Sequence, residues 1–401
     1  MAAAFRAAQC LAPIMAGALL APSAAFAAAP AGKLIFEQRL RYESVDQDNL
    51  PETAGALTLR TRLGYETPAW HGLKALVEGE NVLVLSDRYN STINGKTRYP
   101  TVADPEATEL NRLQVAWTGD KGGVTVGRQR IILGGARFVG NVGFRQNEQT
   151  FDAVRLDLKP AKGVTATYAY VDKVHRVFGP DSPQGEWDSQ SHLMQVDAAT
   201  PAGQLTAYGF LLDFANAPAQ SSATYGLRLA GSRPLGDGRA LTYEGEYARQ
   251  SDYGSNPASF SLDYLGAGLG LKTAKGAVSL GYERLDGDGR QGFQTPLATL
   301  HAYQGWDDVF LTTPRNGVRD LNLRATRTVK LSNGKALRLQ LAAHNFEAAK
   351  GAQAYGSELD VLAAYPLTKR LNLEAKAARF DGVGPAYPDR TKVWVNLEFK
   401  L

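Results

Sequence analysis

The chain has 401 residues, with 44 lysines and arginines against 40 aspartates and glutamates, for a formal charge of +4. So mild a balance argues against a general polyanion-binding surface and against nucleic acid as a partner, so any cation effect has to be local. The single cysteine, Cys10, excludes a disulfide framework.

Residues 1–27 read as a cleavable export signal. Arg6 supplies the positive start, residues 11–21 (LAPIMAGALLA) an apolar run, and Ala25-Phe26-Ala27 a small-x-small cleavage pattern. The run is too short for a spanning helix, which needs about 20 apolar residues. Cys10 precedes most of that run, whereas a lipidated cysteine would follow it. Residues 28–401 are then the exported domain, and none of their segments approaches about 18 consecutive apolar residues.

From residue 33 onward the pattern has period two, the signature of half-buried strands whose side chains alternate between faces. Residues 33–43 (KLIFEQRLRYE) put Leu34, Phe36, Leu40 and Tyr42 on one face and Glu37, Arg39, Arg41 and Glu43 on the other. Residues 56–66 (ALTLRTRLGYE) repeat this, with Arg60 and Arg62 opposite the leucines. Such runs predict strands near 34–45, 56–67, 73–86, 108–118, 124–133, 149–158, 164–173, 190–198 and 204–213. The second half gives 223–231, 240–249, 258–271, 276–285, 318–327, 336–344, 357–365, 370–379 and 391–401. Their connections alternate: TGDKGG (118–123), KPAKG (159–163), KTAKG (272–276) and PLTKR (366–370) are short, whereas 87–107, 134–148, 174–189 and 286–317 are long.

An even number of strands with short turns at one end and long loops at the other predicts an all-β, antiparallel transmembrane β-barrel of about 18 strands in the bacterial outer membrane, surrounded by lipid. Tyrosines near strand ends (Tyr42, Tyr65, Tyr168, Tyr170, Tyr282, Tyr365) suit an aromatic girdle. The connections vary too much for the fixed repeat of a β-helix.

With lipid outside, the polar face must line the lumen. Parity assigns Arg39, Arg41, Arg60, Arg62, Arg112, Arg155 and Arg228 to it, and later Arg324 and Arg338. Arg128 and Arg130 are expected to share one face of the fifth strand, and Arg137 and Arg145 to reach inward from the loop that follows. Glu78, Glu80, Glu244, Glu246, Glu358, Asp360 and Glu374 are placed differently along the chain, so arginines dominate the early strands. A local arginine cluster on a low-dielectric wall can select anions despite a near-neutral total. Taken singly, each arginine is as well explained by a wall ion pair, as Arg155 with Asp157 or Asp152.

Residues 286–317 (DGDGRQGFQTPLATLHAYQGWDDVFLTTPRNG) are too long and too apolar for a floppy tip. Phe293, Leu297, Leu300, Tyr303, Trp306, Phe310 and Leu311 need something to bury against, which predicts an ordered lid or plug. Asp286 and Asp288 lack the twelve-residue calcium pattern. No metal site or cofactor is expected: the five histidines are scattered, and the glycines of LGAGLGL (265–271) lie in a strand pattern and open no helix. No motif for catalysis is present, so the chain is not expected to be an enzyme.

Residues 127–153 (GRQRIILGGARFVGNVGFRQNEQTFDA) resemble the hallmark block of the bacterial alginate export family of outer-membrane proteins. LVEGENV (76–82), YNSTINGKTRYPTVADPEATELN (89–111), FQTPLATLHAYQGWDDVFLTTPRNGVRDL (293–321) and YGSELD (355–360) resemble that family too. The resemblance implies an eighteen-stranded barrel with an arginine-rich lumen, passive export of an anionic polysaccharide such as alginate, and periplasmic export components as partners. Carried over by position, Arg60, Arg62, Arg128, Arg130 and Arg145 would line the constriction. The alternatives are an anion-preferring porin for small solutes, and a plugged scaffold or adhesin barrel.

Overall fold

The computed structural model describes residues 32–401, and the expected export signal lies outside them. Its strands in chain order are β1 (Lys33–Gln47), β2 (Ala54–Glu66), β3 (Leu73–Arg88), β4 (Ala107–Gly119), β5 (Gly122–Gln129), β6 (Thr150–Ala161), β7 (Val164–His175), β8 (Glu186–Thr200) and β9 (Gly203–Leu212). They continue with β10 (Ser222–Gly236), β11 (Arg239–Ser251), β12 (Ser261–Thr273), β13 (Gly276–Leu285), β14 (Val318–Lys330), β15 (Ala336–Glu347), β16 (Ala354–Pro366), β17 (Leu371–Gly382) and β18 (Arg390–Lys400). Each strand pairs antiparallel with its sequence neighbours, and β1 pairs with both β2 and β18, so the eighteen-stranded sheet closes on itself. Closure leaves no unpaired edge, which is what lets a sheet lie in a bilayer with every backbone group satisfied. The fold is that of an outer-membrane β-barrel.

Alternation decides which face each side chain takes. Leu34, Leu63, Leu113, Leu227, Leu269, Leu280 and Leu323 stay exposed on the outer surface. Arg41, Glu43, Arg60, Glu78, Glu80 and Asp360 are buried inside. All connections after even-numbered strands are turns of a few residues. Those after odd-numbered strands include 89–106, 130–149 and 286–317, so the two rims differ as the sequence predicts.

Two long loops fold into the lumen. Phe293 and Leu297 are fully buried, and with Phe138 and Val139 of 130–149 they join wall residues Phe151, Phe210, Tyr264, Phe346 and Phe380 in one apolar cluster. The hydrophobic core therefore lies inside the barrel, toward the long-loop rim. Leu311 departs from the expectation for this loop, remaining 44% exposed.

The fifth strand is shorter than predicted, ending at Gln129 rather than near 133. Gly127 has φ +110°, a conformation open to glycine, and its missing Cβ lets it approach the Leu113 carbonyl. Beyond Gln129 the chain turns inward, and Arg130 leaves the sheet.

Candidate functional site

The lumen face of β1 and β2 is held together by cross-strand charge. Arg39 lies opposite Arg60, and Glu37 opposite Arg62. Glu398 on β18 lies 3.4 Å from both Arg39 and Arg60. Arg62 contacts Glu80 directly and lies 3.4 Å from Glu148. Two like charges in register would be destabilising alone, so the shared carboxylates are what make this wall tenable.

Loop 130–149 is clasped by the same arginines. Arg39 donates to the carbonyls of Phe144 (2.8 Å) and Gly143 (3.0 Å). Arg41 donates to Asn396 at 2.9 Å and Asp104 at 3.3 Å, with its guanidinium 4.2 Å over the Phe144 ring. Arg145 lies 3.3 Å from Glu43 and 3.1 Å from Asp308, which belongs to loop 286–317. Arg130 donates to Glu148, and Arg112 grips Glu78 with two bonds of 2.9 and 2.6 Å. Burial alone would raise the Glu148 carboxyl, but Arg62 and Arg130 hold it down at about 2.

The other predicted arginines lie elsewhere. Arg137 contacts Glu283 across the barrel. Arg155 pairs with Asp157 at 2.8 Å, and Arg228 with Glu244 at 2.5 Å. Arg128 corrects the expectation that it shares an inward face with Arg130. It is in register with Leu113, whose side chain faces outward, and it keeps the parity of Val126, also outward. Its partners are Asp152 (2.8 Å) and the Leu110 carbonyl (2.9 Å), so it lies on the barrel's outer surface. The hydrophobic alternation Val124, Val126, Arg128 already carried that parity.

Loop 286–317 is latched to the β17–β18 wall. Lys376 donates to His301 Nε2 at 2.6 Å, and His301 Nδ1 meets Asp308 at 2.8 Å. The imidazole stacks on Phe144 at 3.5 Å. Lys376 also lies 3.9 Å over Trp306. Lys392 donates to Asp308 at 2.8 Å, and Arg390 to the Asp307 carbonyl at 3.0 Å. Burial pushes the His301 imidazole down to about 3, and burial raises the Asp307 carboxyl to about 7.

Three lumen cavities remain around the docked loops. One of about 490 Å³ at the long-loop end is bordered by Arg145, Arg176, Arg390 and Lys392 with Asp308 as its carboxylate. A second, of about 440 Å³, lies beside Arg39, Arg41, Phe144 and Arg338. The third, of about 480 Å³, is bordered by Arg137, Arg228, Arg324, Glu244 and Glu246. Arg176, Arg390, Lys392 and Lys376 were missed as site residues. The alternation of residues 391–401 did mark Lys392 as inward, but Arg176 lies in a loop and carried no signal.

No family model matches the sequence, and no curated protein does either. Among solved structures the chain is similar to OccAB4 of Acinetobacter baumannii, with TM-score 0.71 and 16% identity over 92% of this chain and 98% of that one. It is similar to OpdL of Pseudomonas aeruginosa, with TM-score 0.68 and 17% identity over 92% and 98%. OpdK of the same organism, solved with vanillate, gives TM-score 0.69 and 12% identity over 92% and 98%. At these identities the likeness establishes the fold. The resemblance to the alginate export family is overturned as well, because these similar structures are Occ and Opd proteins and no family model matches the sequence. The residue blocks that carried the resemblance, 127–153 foremost, match no family model, and the eighteen strands and inward arginines it implied are what any wide barrel with a charged interior needs.

Proposed function

We propose that the chain is an outer-membrane channel for small solutes with a preference for anions, the long loops facing the cell exterior. The observation that carries this is the cavity at the long-loop end, whose lining holds Arg145, Arg176, Arg390 and Lys392 and one carboxylate, Asp308, with Glu43 behind Arg145. Fixed cations in a low-dielectric vestibule concentrate anions and focus the field on the passage. The space left by the docked loops favours small solutes over a polymer, since cavities of roughly 300–1,000 Å³ suit small molecules. The vanillate bound by OpdK, a small aromatic carboxylate, agrees in class. The role is transport, with no step of catalysis.

Planar-bilayer recordings under a salt gradient test the reading, together with osmotic swelling of liposomes in benzoate and in an oligosaccharide. Anion-selective current with entry of benzoate and exclusion of the oligosaccharide is expected. Cation selectivity would overturn the preference. A folded barrel with no conductance would favour the plugged scaffold.

A further inference from the structure

The cavity bordered by β10–β14 differs in character from the cation-rich mouth. Its floor is backbone. Gly268 of β12 and Gly281 of β13 are directly in register, and Gly270 lies opposite Ser279. One row across this wall runs Glu244, Gly268, Gly281, Asn322, and the next runs Thr242, Gly270, Ser279, Arg324. A Cβ at Gly268 would meet Glu244 at 3.0 Å, and one at Gly281 would meet Asn322 at 2.6 Å, so the glycines hold the floor low between polar side chains. Three strand spacings separate the columns of Glu244 and Arg324, roughly 14 Å of wall.

Two of the guanidiniums lining this space have unfilled hydrogen-bonding capacity. Arg137 Nε is held by Glu283, while its guanidinium is buried against the Tyr264 and Tyr303 rings, 5.3 and 4.8 Å from their centroids, and Nη1 and Nη2 make no hydrogen bond among the described residues. Arg324 reaches only the Ala302 carbonyl, at 3.5 Å, and has no carboxylate partner among the described residues. Arg324 is therefore the guanidinium in this space with donors free to meet an oxygen acceptor.

Net charge argues against an anion as the occupant. Arg137, Arg228 and Arg324 face four carboxylates, Glu244, Glu246, Glu283 and Asp320. Donors (Asn322, Arg324) and acceptors (Glu244, Glu246, Asp320) both border the space, and a hydroxyl, which donates and accepts, can meet either. The Tyr303 ring and the bare glycine backbone offer flat surfaces to the apolar face of a ring. We propose that this cavity is a retention site for a neutral, hydroxyl-rich ring of monosaccharide size. The proposal rests on the reading of the chain as a small-solute channel, and it names a second class of solute for it.

Saturation-transfer NMR on the detergent-solubilised barrel tests the site without requiring transport, with D-glucose as probe and glutamine and benzoate as comparisons. The double variant Ser279→Ala with Asn322→Ala removes hydrogen bonds without narrowing the floor, and heat-modifiable mobility checks that it folds. A glucose signal that falls at least about fivefold in the variant supports the site. No glucose signal in the parent, or an equal one in the variant, overturns it. A glutamine signal that exceeds that of glucose and falls in the variant overturns the ligand class. Bilayer current, recorded separately, decides the channel reading: glucose retention without current would keep the site and sink the channel.

Discussion

Lys376 on β17 donates to His301 Nε2 at 2.6 Å, which fixes the His301 proton on Nδ1, facing Asp308 at 2.8 Å. One wall ammonium thus sets the tautomer of a loop imidazole and, through it, the seating of a carboxylate shared with Arg145 and Lys392. Because Phe144 of the other long loop stacks on the same imidazole, both loops depend on this contact.

Replacing Lys376 with Met should loosen both loops without opening the barrel. Losing the donor to a buried nitrogen costs about 1–3 kcal/mol. Single-channel recordings should show more frequent transitions to a larger conductance, with the barrel's heat-modifiable mobility unchanged. Current traces matching the parent would mean the latch does not hold the loops.

Acid should release the latch through His301. Its folded pKa of about 3 lies below the ordinary 6.5, so the folded chain binds fewer protons between those values. The His301 contribution to docking is therefore complete above pH 6.5 and is lost as the pH falls toward 3. Current noise should rise over that window in the parent, and His301→Asn should flatten the rise.

Asp307 carries the opposite dependence. Its folded pKa of about 7 lies above the ordinary 3.8, so its contribution is complete below 3.8 and is lost as the pH rises through 7. Asp307→Asn should remove alkaline loosening of loop 286–317 while leaving the acid limb intact. The readout is the same noise measurement between pH 6 and 9, and an unchanged alkaline limb would contradict it.

Selectivity should follow the mouth rather than the outer wall. Arg176→Gln removes one of the four cations at the long-loop cavity and should move the reversal potential toward cation permeation. Arg128→Ala, on the lipid-side surface with Asp152, should leave the reversal potential where it was. A shift of equal size in both would undo the placement of Arg128.

The strands were legible because each is half-buried, and burial of one face writes itself into every second residue. Arg39, Arg41, Arg60 and Arg62 followed from that parity alone. Arg128 followed it too, but its parity with Val124 and Val126 was outweighed by nearness to Arg130, which Gly127 and the early end of β5 send the other way. What parity could not supply was the arrangement of loops inside the lumen. Arg39 meets the Phe144 carbonyl 105 residues away, and Arg137 meets Glu283 at a separation of 146. Such pairs depend on closure of the whole ring, and nothing local encodes them.

The seam between β1 and β18 makes the charge of the interior a property of the finished ring. Arg39 and Arg60 come from the first two strands, yet Glu398, the carboxylate they share, is among the final residues of the chain. Lys376, Lys392 and Trp394, which receive the loops, belong to the last two strands. The counter-charge of β1 and β2 and part of the wall under the loops thus come from the opposite end of the chain. Seam and loops are thereby linked: the closed ring supplies the groups that seat the loops, and the seated loops in turn hold the strands on either side of the seam together.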